Sequence, residues 1–179
     1  MNSLTYTGNV TVSIVKNKTI IKTYHGHNSG SKELFHFFAY ALAGKYKIAE
    51  SLRPLRIMLF EKTTDKPEGQ AVSNYIGINV PTTVEATTDN TSYKATLHFL
   101  IPYTYITGNK VDIYKLYPLN SADALAIFDA EAAGQAIDLS NINKAKYSLI
   151  VDWELLVSNT TTSTAVTTSA AAAAAEESD

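Results

Sequence analysis

The chain has 179 residues, 45% of them hydrophobic, with a mean hydropathy of −0.06, which fits one folded domain with a single core and excludes a disordered chain. A net charge of −2 gives no pull toward nucleic acid or an anionic membrane, and the lack of cysteine removes disulfides, thiolate catalysis and Cys-ligated metals. Charged residues make up only 18%, with Thr and Ala taking up the difference, a surface suited to subunits that live against neighbours.

The charge is unevenly placed. Residues 1–66 carry 10 Lys/Arg against 4 Asp/Glu, a net of +6, whereas residues 67–179 carry 5 against 13, a net of −8. Chance clustering on solvated faces is the plain reading, and head-to-tail complementarity between copies the sharper one. The opening MNSLTYTGNV has neither the basic nor the apolar region of a secretory signal, and no apolar run approaches the roughly 18 residues of a membrane span. A chain with no membrane partner is expected.

Val10, Val12 and Ile14 alternate with Thr11 and Ser13, then Asn17-Lys18 interrupts before Thr19–Tyr24. This predicts a hairpin with a two-residue turn, Asn tolerating the positive φ such turns require. His25–Gly30, rich in turn formers, reads as a loop. Ser31 can cap a helix over about residues 32–43 that ends at Gly44. Leu34, Phe37, Phe38, Ala41 and Leu42 recur at helical spacing, with Lys32, Glu33, His36 and Tyr40 on the exposed side.

Leu55–Glu61 is the next expected strand, and Lys62–Ser73, with Pro67 and Gly69, reads as an exposed loop. Tyr75–Val80 is a short strand, Thr82–Asn90 is strand-compatible, and Tyr93–Ile101 alternates cleanly before Pro102. Gly108-Asn109 turns into Val111–Tyr117. Leu125–Ala130 is a short apolar run assigned to strand. Lys146–Ser158 (KYSLIVDWELLVS) puts Tyr147, Leu149, Val151, Trp153, Leu155 and Val157 on one face and mainly polar residues on the other.

The expected fold is mainly β: an antiparallel β-sandwich or open barrel of about eight strands with one short helix packed against it. Residues 1–158 form a single domain on this reading, and 159–179 a low-complexity C-terminal arm.

Catalytic motifs are missing from the sequence: no phosphate-binding glycine loop, dinucleotide fingerprint or nucleophile elbow occurs. His25 and His27 would share one side of a strand, half of a metal site. Metal sites need three or four ligands, and no third lies nearby in sequence, so a polar hairpin end is the simpler reading and no metal or cofactor is expected. Asp152 and Glu154 point the same way roughly 6–7 Å apart, a spacing glycosidases use. They sit in a regular strand without neighbouring aromatic subsites, so an exposed polar face, or a subunit contact with Arg53 or Arg56, is preferred. Tyr103, Tyr105, Tyr114 and Tyr117 border the Pro102–Asn109 turn and are candidate contacts for a sugar or a protein, weighed against ordinary half-buried strand positions.

Gly26-His-Asn-Ser-Gly-Ser-Lys-Glu-Leu-Phe35, continuing to Ala41-Leu-Ala-Gly44, resembles a segment of uncharacterised virion proteins of tailed bacteriophages. There a hairpin leads through an Asn-Gly loop into a short helix. Val151-Asp-Trp-Glu-Leu-Leu-Val-Ser-Asn159 is similar to the last strand of the same kind of protein. The two segments cover about a quarter of the chain and transfer no functional residues. The resemblance implies a non-enzymatic structural subunit in a tail, collar or capsid-attached position, assembled in the host cytoplasm into the virion. Its partners would be copies of itself and other virion proteins. The alternative is a carbohydrate- or receptor-binding sandwich of a phage fibre, with a host surface glycan as partner.

Overall fold

The computed structural model describes residues 2–45, 47, 54–73, 83–88, 92–118 and 121–161. Among these, the elements are β1 (Asn2–Lys16), β2 (Thr19–Gly30), α1 (Lys32–Leu42), β3 (Pro54–Thr63), β4 (Lys66–Ala71), β5 (Thr83–Thr88), β6 (Ser92–Pro102), β7 (Lys110–Val111), β8 (Ile113–Pro118), β9 (Ala126–Asp129), β10 (Ile137–Asp138) and β11 (Tyr147–Thr161), with 3-10 turns at Tyr103–Tyr105 and Lys144–Lys146. Nine strands form one antiparallel sheet in the order β4-β3-β8-β9-β2-β1-β11-β6-β5, and β10 pairs with β7. The fold is mainly β and sandwich-like, and the sheet does not close into a barrel.

β2 is the corner of the sheet. It pairs with β1 from Lys16↔Thr19 to Gly8↔Asn28, then its last residues, Ser29 and Gly30, pair with β9. One half of the sheet (β2, β1, β11, β6, β5) is thereby turned over the other (β4, β3, β8, β9), the way strands that switch sheets make sandwich corners. Both halves supply one core. Val10, Val12, Leu97, Phe99, Val151 and Trp153 meet Ile57, Leu59, Tyr114, Leu116 and Phe128 in a single apolar cluster. Each fully buried large side chain contributes on the order of 1.5–3 kcal/mol through lost apolar exposure.

The two-residue turn is as expected: Asn17 and Lys18 both have positive φ, 49° and 69°. That turn matches the twist of the flanking strands. The helix is capped as its sequence requires. Ser31 Oγ accepts from the Glu33 N–H at 3.2 Å, and at the other end Gly44, with φ 71°, lets the Gly44 and Lys45 N–H groups bond the carbonyls of Ala41 and Tyr40. Leu34 is fully buried, Phe37 and Phe38 pack against the core, and Phe35 stays in solvent beside Tyr6.

Two expected loops are strands instead. His25–Gly30 continues β2, because its glycines answer to packing rather than to a turn: a Cβ on Gly26 would lie 2.2 Å from Phe128 Cε2. Lys62–Ser73 holds the end of β3 and all of β4, closed at Thr64-Asp65. β4 is an edge strand, where Pro67 costs no shared ladder bond. The expected strand at Tyr75–Val80 lies outside the described residues, as does the arm beyond Thr161; β11 itself runs three residues past the boundary set at 158.

Candidate functional site

The outer face of the β6-β11-β1-β2 layer is a polar ladder, fixed by strand alternation. Because Trp153 and Val10 point into the core, their neighbours Asp152, Glu154, Asn9 and Thr11 point out. Register aligns His98, Asp152, Thr11 and His25 in one row across four strands, and Thr96, Glu154, Asn9 and His27 in the next. Within the first row His98 Nδ1 is 2.7 Å from Asp152 Oδ1, and Thr11 Oγ1 is 3.1 Å from His25 Nδ1. In the second, Asn9 Nδ2 donates to Glu154 Oε2 at 3.2 Å and Asn9 Oδ1 lies 2.9 Å from His27 Nδ1. Lys94 Nζ closes this row on Glu154 Oε1 at 3.1 Å.

Asp152 and Glu154 thus share a face, as their spacing predicts, and each is taken up by its own partners. Burial raises the Glu154 pKa, but the Asn9 amide and the Lys94 ammonium more than offset it, and the carboxyl sits below its ordinary range. A group held ionised in this way is a poor proton donor. Arg56 does not approach either carboxylate. It donates from Nε to the Pro118 carbonyl at 3.2 Å and stacks its guanidinium over Tyr117, 5.0 Å from the ring centroid. Arg53 lies outside the described residues. His25 and His27 stand together on the outer face, and no group of three potential metal ligands occurs among the described residues.

The four tyrosines divide sharply. Tyr103 and Tyr114 are fully buried and Tyr117 is 7% exposed, so these three are core side chains rather than partner contacts. Tyr103 and Tyr114 lie in the main apolar cluster between the two halves of the sheet, with Tyr103 stacked on Tyr147 at 5.6 Å and Tyr114 beside Phe128 at 5.7 Å, whereas Tyr117 sits in a separate small cluster with Phe60 and Ile113. Burial raises the Tyr103 and Tyr114 phenol pKa values. Only Tyr105, 38% exposed, offers a surface ring.

Two features escaped the sequence reading. The first is a chain of five alternating charges where β3 and β9 end and β8 begins. Lys62 Nζ bridges Asp129 (2.7 Å) and Glu131 (3.2 Å), and Lys110 Nζ bridges Glu131 (3.0 Å) and the fully buried Asp112 (2.8 Å). Asp112 also accepts the Lys62 backbone N–H at 2.8 Å. An aspartate between the core residues Val111 and Ile113 was the available signal. The two lysines are pushed above their ordinary values, Lys62 chiefly by Asp129 and Lys110 chiefly by Asp112.

The second is the outer edge of β2. It carries Ile20 and Ile21, 56% and 53% exposed, and borders a groove of about 490 Å³ where β2 and β9 diverge. His25, Gly26 and His27 line one wall, and Ile127, Ala132 and Ala133 the other. Gln135 Nε2 donates to the His25 carbonyl across it at 2.8 Å. The sequence hid this edge because His25–Gly30 reads as a loop.

No family model, curated protein or solved structure matches this chain.

Proposed function

We propose that this chain is a non-enzymatic structural subunit of a tailed-phage virion, acting through contacts with copies of itself and with other virion proteins. The observation that carries the reading is that large apolar side chains stand in solvent on regular elements: Ile20, Ile21, Phe35 and Leu100 are 46–56% exposed. Strands and helices hold such side chains in fixed positions, which is what a partner surface requires. The charged groups of the outer ladder are meanwhile engaged with one another.

The resemblance to virion proteins supports the same reading. Its two segments fall on the two strands that flank β1, since Asn9 of β1 is paired with His27 of β2 on one side and with Glu154 of β11 on the other. A carbohydrate- or receptor-binding sandwich would use Tyr103, Tyr105 and the neighbouring loops, and of these two rings only Tyr105 reaches the surface.

Mass spectrometry of density-purified particles tests the proposal. The chain is expected at a copy number comparable with other structural proteins, and a cryo-EM map is expected to hold its β-sandwich in a tail, collar or capsid-attached position. Particles that lack the chain altogether would overturn it.

A further inference from the structure

We infer that the outer edge of β2 receives the β2 edge of a second copy of this chain, the two strands running antiparallel about a two-fold axis. The inference rests on the reading of the chain as an assembly subunit and names the surface through which one copy meets the next.

Among the described residues, the backbone of that edge is largely open. β2 pairs with β1 along one side, and on the other side pairs with β9 only at Ser29 and Gly30. The His25 carbonyl turns outward, toward Gln135. Backbone groups alternate sides along an antiparallel strand, so Thr23 and His27 also direct their N–H and C=O outward. The side-chain contacts agree: Ser13–Thr23 and Thr11–His25 touch across β1 and β2, as cross-strand neighbours do in pairs that share no backbone bonds. Among the described residues, Gln135 is the only bonding partner of this edge between Thr19 and Asn28.

Proteins normally blunt such edges by keeping them short or charged. This one carries lysines at its turn end and still exposes two consecutive isoleucines. A bulge produces them: Ile14 pairs with Lys22 and Val15 with Ile20, leaving Ile21 unmatched between the two.

The two ends of the edge complement each other. At the turn end stand Ile20 and Ile21 among Lys16, Lys18 and Lys22. At the other end lies the groove walled by Ile127, Ala132 and Ala133, beside Asp129 and Glu131. The charge chain there holds three carboxylates (Asp112, Asp129, Glu131) against two lysines, a surplus of one negative charge. Ile20 and Gly26 are six residues apart, about 20 Å along a strand. A two-fold axis near Thr23 therefore carries the apolar, basic end of one copy onto the apolar, acid-rimmed groove of the other. Such a patch is isologous, so a second copy fits it at both ends at once.

Sedimentation velocity of the full-length protein, up to several hundred micromolar, tests this. Wild type is expected to form a reversible dimer. Ile21→Lys is expected to weaken it by at least about tenfold. Thr23→Pro removes an outward N–H that the monomer does not use and should do the same, both variants keeping the wild-type circular dichroism spectrum. Phe35→Ser, on the helix, and Glu176→Lys with Glu177→Lys, in the C-terminal segment, should leave the dimer intact. Three results would each overturn the inference: a strictly monomeric wild type, a dimer indifferent to both β2 variants, or a dimer abolished by the helix or C-terminal variants, which would mark a different occupant. None of these bears on whether the chain is present in particles, which is read separately.

Discussion

Asn28 occupies the space that a side chain on Gly8 would need. The two residues face each other across β1 and β2, and a Cβ on Gly8 would lie 2.0 Å from Asn28 Oδ1. Asn28 is 8% exposed; it accepts from the Tyr6 hydroxyl and donates to the Asn9 carbonyl at 3.3 Å. A strand glycine ordinarily weakens its strand, and replacing it with alanine commonly stabilises. Here the sign reverses. Gly8→Ala is expected to destabilise by about 1–3 kcal/mol, because Asn28 must leave a buried hydrogen-bonded position. Urea unfolding of Gly8→Ala, Asn28→Ala and the double variant checks it: the double should cost clearly less than the two singles added together. Strict additivity would mean that the two positions do not compete for space.

The turn residue Lys18 carries the opposite expectation. Its φ of 69° lies in the left-handed region, which costs a non-glycine residue about 1–2 kcal/mol. Glycine at this position of a two-residue hairpin relieves that cost, at some loss of chain entropy. Lys18→Gly should therefore raise stability by up to about 1 kcal/mol, read as a higher melting temperature. An unchanged or lower melting temperature would mean that Lys18 is held in place by something other than the turn.

Gly8 and Lys18 also mark how far the fold could be read from its sequence. Period-two alternation identifies β1, β6 and β11 because each buries one face and solvates the other. Asn17, Ser31 and Gly44 identify the turn and both ends of the helix through local backbone chemistry. What stays hidden depends on contacts across the chain. Gly26 and Asn28 look like loop residues, yet they sit in a strand where Gly26 leaves room for the Phe128 ring and Gly8 leaves room for the Asn28 side chain. Tyr103 and Tyr114 look like surface tyrosines, because alternation gives a side chain's face and not whether a second layer covers it. The charge chain joins Lys62 to Asp129 and Lys110 to Glu131, residues brought together by a strand order that no local pattern states.

Asp112 should be the most sensitive charged position. It is fully buried, pairs with Lys110 Nζ at 2.8 Å and accepts the Lys62 N–H at 2.8 Å. Asp112→Ala leaves the Lys62 N–H without its acceptor and the Lys110 ammonium with Glu131 alone, and is expected to cost about 1–3 kcal/mol. Asp112→Asn keeps an acceptor for the Lys62 N–H while losing the ion pair, and should cost less. Chemical denaturation of both variants gives the order. If alanine and asparagine are equally well tolerated, the buried carboxylate is not holding β3 to β8.

The same network sets the pH dependence of stability. Glu131 is held below its ordinary value of 4.5 by Lys110 and then Lys62. For Asp129, burial raises the pKa, but the Ala132 N–H and Lys62 more than compensate, leaving it below 3.8. Glu154 is likewise lowered. A carboxyl with a depressed folded pKa binds fewer protons folded than unfolded, so its stabilisation is present above the unfolded value and disappears as pH falls through the folded one. Lys62 and Lys110, raised above 10.5, behave in mirror image: their contribution is present below the unfolded value and lost as pH climbs through the folded one. Stability attributable to this network should therefore be level between about pH 5 and pH 10 and fall on both sides. Lys62→Met removes the cation between Asp129 and Glu131, so Asp129 relaxes toward its ordinary value, Glu131 does so in part because Lys110 still holds it, and the acid limb becomes shallower. Thermal unfolding of wild type and Lys62→Met between pH 2 and pH 7 reads the difference directly, and identical acid limbs would show that the lysine does not set these carboxylates.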